Sequence, residues 1–221
     1  MKQQAFPYGH WRAGVQSLAL ALIVALASPA APAQARKLHL VALGDSLTAG
    51  LGLPPGQAFP EALEKALRAK GYDVEVANAG VSGDTAEDGL ARYDWSVPEG
   101  TDALIVELGA NDMLRGLDPA GAKAALATIL GRAAAAHIPT LLAGMRAAPN
   151  LGPDYDARFD AIYPDLAKQF GVALYPFFLE GVAADPKLNQ KDGLHPTREG
   201  VEKIVAAMLP AVEALLKGVK A

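Results

Sequence analysis

Five short apolar runs alternate with stretches long enough for helices, and this alternation limits the chain to few folds. The runs are Leu38–Leu43, Asp73–Ala77, Ala103–Leu108, Thr140–Gly144 and Val172–Leu174. Parallel strands cannot be joined by a tight turn; each pair needs a crossover of a dozen residues or more, usually a helix, and the crossover is right-handed. The expected fold class is therefore α/β. Its expected architecture is a three-layer α/β/α sandwich around a mostly parallel five-stranded sheet.

The connecting segments carry helix signals. Phe59, Ala62, Leu63, Ala66 and Leu67 recur at helical spacing, with Gly71 as a stop. Asp84 with Glu87 three residues on reads as a capping-box-like pair opening a short helix through Tyr93. Asp118-Pro119 reads as N-cap and first residue of a helix running to about His137. Phe159, Ile162, Leu166 and Phe170 mark another helix, in which Pro164 predicts a kink or break. Val201, Ile204, Val205, Met208, Leu209 and Val212 form the core-facing stripe of a last helix.

The first 35 residues read differently. Lys2 and Arg12 precede an apolar run from Val15 to Ala27, and Ala33-Gln34-Ala35 ends the segment with small residues where a signal peptidase reads. That run is shorter than the roughly 20 residues needed to span a bilayer. Residues 1–35 are thus expected to be a cleaved secretory signal, with a periplasmic or secreted product and no stable membrane anchor, and 36–221 a single domain. With no cysteine in the chain, lipid attachment to an N-terminal cysteine and disulfides are both excluded. Setting aside Lys2 and Arg12 leaves 18 basic against 24 acidic side chains, a balance of −6. Such a balance gives no footprint for nucleic acid or anionic lipid.

In an open α/β sheet the chemistry lies beyond the C-terminal ends of the strands. The loops expected there are 44–56, 78–84, 109–117, 145–154 and 185–196, and they hold a suggestive set of groups. Ser46 stands in Gly44-Asp45-Ser46-Leu47, directly after the first strand. Asp192 and His195 stand in Asp192-Gly193-Leu194-His195-Pro196, ahead of the last helix. A serine hydroxyl becomes a useful nucleophile when an imidazole takes its proton and a carboxylate fixes the imidazole. Of the histidines that remain after cleavage, His39 lies in a strand and His137 ends a helix, which leaves His195 on a functional-side loop. An oxyanion needs donors, and three are in reach of such a site: the backbone N–H of Ser46, that of Gly83, and the side-chain amide of Asn111.

Together, Gly44-Asp45-Ser46-Leu47, Gly83, Gly109-Ala110-Asn111-Asp112 and Asp192-Gly193-Leu194-His195-Pro196 resemble the four blocks of the GDSL or SGNH hydrolase family, in the family's order. Val106-Glu107-Leu108, Leu114-Arg115-Gly116 and Ala161-Ile162-Tyr163-Pro164 are similar to its bacterial periplasmic acyl-CoA thioesterase, lysophospholipase and arylesterase subgroup. The resemblance implies a flavodoxin-like sandwich and hydrolysis of acyl esters and thioesters. It implies Ser46 as nucleophile, His195 as base, Asp192 as its orienting partner, and Ser46, Gly83 and Asn111 as oxyanion donors. Ala110 departs from the glycine common in that subgroup.

Each piece also has a structural reading: Gly83 as a turn, Asn111-Asp112 as a helix start, Asp192 as a cap. Asp45 and Asp112 read as carboxylates that brace loops. Met113, Leu114, Met145, Pro149 and Leu151 are candidates to line an acyl groove or, equally, to anchor loops on the core, the anchor reading being the better one for Met145 and Leu151. The expected partner is a small acyl ester or thioester, the expected state a monomer, and no metal or organic cofactor is called for. Two other readings are a metal-dependent phosphoesterase, which lacks the histidines and bridging carboxylates its chemistry uses, and a non-catalytic extracytoplasmic binding protein. The α/β-hydrolase fold does not suit a nucleophile on the first strand without a Gly-x-Ser-x-Gly elbow.

Overall fold

Residues 36–219 are described by a computed structural model. The expected leader falls outside them. Five strands, β1 (Leu38–Gly44), β2 (Val74–Gly80), β3 (Ala103–Glu107), β4 (Thr140–Ala143) and β5 (Ala173–Tyr175), form one sheet in the order β2-β1-β3-β4-β5, parallel throughout. The order reverses between β1 and β3, the switch point at which flavodoxin-like sheets open a crevice.

The helices are α1 (Ser46–Ala49), α2 (Phe59–Ala69), α3 (Ala86–Ala91), α4 (Tyr93–Ser96), α5 (Ala110–Leu114), α6 (Pro119–Ala135), α7 (Pro153–Asp160), α8 (Ile162–Phe170) and α9 (Arg198–Lys217), with a 3₁₀ turn at Pro149–Leu151. On one face α2 packs on α9; on the other, α6 packs on α3 and α8. Leu40, Leu43, Leu104, Ile105 and Leu141 are fully buried between these layers. Strands covered on both faces must be apolar on both, which is why β1, β3 and β4 read as continuous runs rather than alternating ones.

Several expected boundaries shift. β2 reaches Gly80, three residues beyond the apolar run, because its last residues pair with β1 through Gly44↔Gly80. The capping box that opens α3 is Thr85 with Asp88, not Asp84 with Glu87: Thr85 Oγ1 accepts from the Asp88 N–H and Asp88 accepts from the Thr85 N–H. Asp84 is drawn away by Arg92, whose Nε lies 2.5 Å from its carboxylate. The segment expected as one helix through Tyr93 divides at Arg92 into α3 and α4. The break expected at Pro164 comes at Ala161, so Pro164 falls in the first turn of α8, where an absent N–H leaves no helical bond unmade. Asp118 caps α6 as expected, its side chain accepting from the Ala120 N–H.

Candidate active site

Where β1 ends, Gly44 leaves no room for a side chain: a Cβ there would lie 2.1 Å from Thr48 Oγ1 and 2.7 Å from Glu107 Oε2. The chain turns at once into α1, whose N-cap is Asp45 and whose first residue is Ser46. Asp45 Oδ1 accepts from the Leu47 N–H at 2.9 Å. As first residue of a helix, Ser46 keeps its own N–H outside the intrahelical bonding.

The loop ahead of α9 brings the imidazole. His195 Nε2 is 2.9 Å from Ser46 Oγ, and His195 Nδ1 is 2.7 Å from Asp192 Oδ2. The other Asp192 oxygen accepts from the N–H groups of Leu194 (2.9 Å) and His195 (3.0 Å). Those two amide bonds, then the imidazole, hold the Asp192 carboxyl down to about 2. Gln190 anchors the loop by donating from Nε2 to Leu51 O at 2.7 Å, on the nucleophile side. His39, on β1, and His137, just past α6, are elsewhere in the fold.

Gly83 has a φ of +91°, and a Cβ would meet only Arg115 Nη2 at 3.7 Å, so the backbone conformation rather than space calls for glycine. Asn111 lies in α5, just past Gly109, whose φ is +113°. Its Nδ2 donates to Asp45 Oδ2 at 3.1 Å and to Asp84 O at 3.0 Å. Asp112 accepts from the Ala86 N–H at 2.9 Å and so ties α5 to the start of α3. Asp45 and Asp112 thus brace the loops.

Beneath the nucleophile turn lies a second carboxyl. Glu107, the last residue of β3, is fully buried; Oε2 accepts from Thr48 Oγ1 at 2.7 Å, and Oε1 has no partner among the described residues. Burial, then the nearby Asp45, pushes Glu107 well above the usual carboxylate range. Burial likewise raises Asp45 to about 6, against the pull of the Leu47 N–H and the Asn111 amide.

A cleft of about 450 Å³ opens at this point, lined by Ser46, Gly83, Asn111 and His195 together with apolar side chains. Met113, Leu114, Met145 and Pro149 are among its lining residues. Leu151 is not among the lining residues, because the 3₁₀ turn carries it past the cleft after Pro149. Met145 does both jobs considered for it, being 3% exposed in the core and part of the wall. Sequence reasoning missed the segment after β5, which contributes Phe177, Leu179, Ala183 and Ala184. The signal available was the Phe177-Phe178 pair just past a strand end. Arg146 also lines the cleft, its guanidinium carbon 5.0 Å from the centre of the Phe177 ring.

Serine, imidazole and carboxylate stand in hydrogen-bonded sequence at the switch point of a 2-1-3-4-5 parallel sheet, the arrangement that hydrolases of the serine type use. Residues 42–203 match the model of the GDSL-like lipase/acylhydrolase family. The chain is 41% identical over 184 residues to Esterase TesA of Pseudomonas aeruginosa, covering 83% of this chain and 92% of that protein. It is 39% identical over 178 residues to the Thioesterase 1/protease 1/lysophospholipase L1 of Escherichia coli K12, covering 80% and 84%. The crystal structure of AlinE4, an SGNH-hydrolase family esterase, superposes with a TM-score of 0.69 at 49% identity, covering 82% of this chain and 97% of that one. The chain belongs to the GDSL-like lipase/acylhydrolase family, and with it to the carboxylic-ester hydrolases.

Proposed function

We propose that Ser46, His195 and Asp192 catalyse a two-step acyl transfer that hydrolyses single-chain acyl esters and thioesters. The observation that carries this reading is the continuous relay Ser46 Oγ–His195 Nε2–His195 Nδ1–Asp192 Oδ2, at 2.9 and 2.7 Å, at the wall of an apolar cleft. Ser46 Oγ attacks the acyl carbonyl as His195 Nε2 accepts its proton, forming a tetrahedral oxyanion. The N–H groups of Ser46 and Gly83 and the Asn111 amide receive that charge. The intermediate collapses as His195 returns the proton to the departing alkoxide or thiolate. Water then repeats the two transfers on the acyl-Ser46 ester, releasing the acid and the free hydroxyl. Asp192, ionised through the working pH range, holds the imidazole in the tautomer with its proton on Nδ1 and stabilises the cation formed at each transfer.

The names of two relatives, one an esterase and the other a thioesterase/protease/lysophospholipase, support acyl esters and thioesters as the substrate class. Met113, Leu114, Met145 and Pro149 give the acyl chain an apolar wall. Among the described residues, no helix is long and apolar enough to cross a membrane, and no group of three or more His, Cys, Asp or Glu side chains is placed to hold a metal ion. The basic start, apolar run and Ala33-Gln34-Ala35 of the first 35 residues support export, with cleavage after Ala35; N-terminal sequencing of the exported protein tests this.

The experiment for the reaction is a panel of p-nitrophenyl esters, acyl-CoAs and lysophospholipids assayed with wild type and Ser46→Ala, with and without EDTA. Loss of turnover on every substrate in the variant, insensitivity to chelator and inactivation by an organophosphate are expected. Retained turnover in Ser46→Ala sinks the assignment. Chelator sensitivity points to the metal-dependent alternative.

A further inference from the structure

One side chain outside the reacting set touches the ends of both strands that flank the nucleophile turn. Arg92, between α3 and α4, is largely buried, with 20% of its side chain exposed. Its Nη2 donates to Gly44 O at 2.8 Å, two residues ahead of Ser46. Its Nη1 donates to Ala79 O at 2.9 Å, near the end of β2 and four residues ahead of Gly83, and to Ser96 Oγ at 2.7 Å. Its Nε pairs with the Asp84 carboxylate, and the main-chain carbonyl of Asp84 is one of the two acceptors of the Asn111 amide.

We propose that Arg92 is a positioning residue that sets the nucleophile turn and the two oxyanion loops at fixed distances from one another. The inference rests on the roles proposed above for Ser46, Gly83 and Asn111. Its physical basis is the shape of the guanidinium: a planar fork with fixed donor directions can bridge two strand-end carbonyls and a carboxylate at once, whereas an ammonium on a flexible stem cannot. The carbonyls of Gly44 and Ala79 lie where the β1–β2 ladder runs out, so the guanidinium fastens both strands just where they release the loops. The charge on Asp84 balances the cation and carries the same strap to Asn111. Misplacement of reacting groups by about 1 Å is enough to lose on the order of a hundredfold in rate.

The test compares Arg92→Met, which removes the fork and keeps apolar bulk, with Arg92→Lys, which keeps the charge alone. Each is measured for kcat, KM, rate of inactivation by an organophosphate, and thermal midpoint, beside Ser46→Ala and Ser96→Ala. Groups that act only as the oxyanion forms affect kcat and leave ground-state binding alone, so kcat is expected to fall about 10–100-fold in both Arg92 variants with KM within about threefold. Organophosphate inactivation of Ser46 is expected to slow in parallel. Ser96→Ala, which cuts a bond leading away from the three loops, is expected to keep kcat within about twofold of wild type. A wild-type kcat in either Arg92 variant, or a loss that disappears when the assay is cooled well below the thermal midpoint, overturns the proposal. Residual turnover in Ser46→Ala overturns the underlying site assignment instead, whatever the Arg92 variants do.

Discussion

The side-chain amide of Asn111 donates to Asp45 Oδ2 at 3.1 Å, and its second hydrogen goes to the Asp84 carbonyl at 3.0 Å. Before an acyl group enters, both hydrogens are held by loops on either side, which fixes the plane of the amide; to serve the oxyanion, one of these two bonds is shared with it or exchanged for it. Removing the amide itself with Asn111→Ala should lower kcat about 100–1,000-fold, as loss of an oxyanion donor does. Asp45→Ala should act on the same donor less severely, by about tenfold, because the amide then turns freely. It should also lower stability by about 1 kcal/mol, since Asp45 is the N-cap of α1. Steady-state kinetics and denaturant melts check both; a wild-type kcat in Asp45→Ala rules out that coupling.

Asp192 offers a sharper separation of geometry from charge. An asparagine can still accept from the N–H groups of Leu194 and His195, so the loop should persist in Asp192→Asn. The bond to His195 Nδ1 then loses its ionic character and the tautomer it imposes, and kcat should drop about 10³–10⁴-fold, while the thermal midpoint falls only by what the exposed, ionised carboxylate contributes to the loop. Equal kcat in the two proteins removes Asp192 from the mechanism.

Glu107 sets the sign of the pH dependence of stability. Its folded-state value and that of Asp45 lie above the ordinary carboxylate values, so between the two values the folded protein holds protons that the unfolded chain has released. Stability contributed this way is complete in acid and is lost as pH rises from about 4 through 6 and beyond. Asp192 works in the opposite direction, its contribution complete above the ordinary carboxylate value and lost as pH falls toward 2. Glu107→Gln keeps an oxygen for Thr48 and removes the ionisable group. It should raise stability relative to wild type as pH rises above the ordinary carboxylate value and flatten the decline there. Melting curves across that range decide it, and parallel curves for the two proteins would falsify the account.

Gly109 and Tyr163 are coupled through a contact that admits no extra atom. A Cβ on Gly109 would lie 2.3 Å from the Tyr163 hydroxyl, which itself donates to Leu108 O at 3.0 Å. Gly109→Ala should therefore destabilise by about 2–4 kcal/mol, from the positive φ and the clash together, and reduce kcat by displacing Asn111. In Gly109→Ala/Tyr163→Phe the clash is eased and the φ is not. The double variant should recover part of the loss relative to Gly109→Ala, a pattern that a double-mutant cycle on unfolding measures. Strict additivity means the two residues do not communicate.

The sheet was readable because burial on both faces makes its strands apolar throughout, and the reacting groups because few residue types can do this chemistry. Leu38–Leu43 and Ala103–Leu108 appear as strands within a residue or two of their bounds. Asp192 and His195 fall on a loop at the expected edge, and Ser46 stands at the same edge but as the first residue of α1 rather than in a loop. What stayed hidden depends on partners far away in the chain. Asp84 looks like a helix cap until Arg92 claims it and Thr85 takes the cap. Thr48 is 59 residues from Glu107, and Gly44 is 48 from Arg92, so nothing local marks those contacts. The Phe177–Ala184 wall has neither helical nor strand periodicity, and it became visible only as the lining of the cleft.

Ser46 and His195 are separated by 149 positions, and the histidine loop is held on one side by Gln190 and on the other by the start of α9, which packs on α2. Turnover therefore reports a late event in the life of the chain. On the roles proposed for Ser46 and His195, a growing polypeptide that has completed β1 to β4 carries the nucleophile without its base, and it is expected to be inert toward acyl groups around it. Fraying of α9 would silence a mature molecule while most of its sheet still stands, so proteolytic or thermal damage at the C-terminus should register first as lost catalysis and only later as lost strand structure.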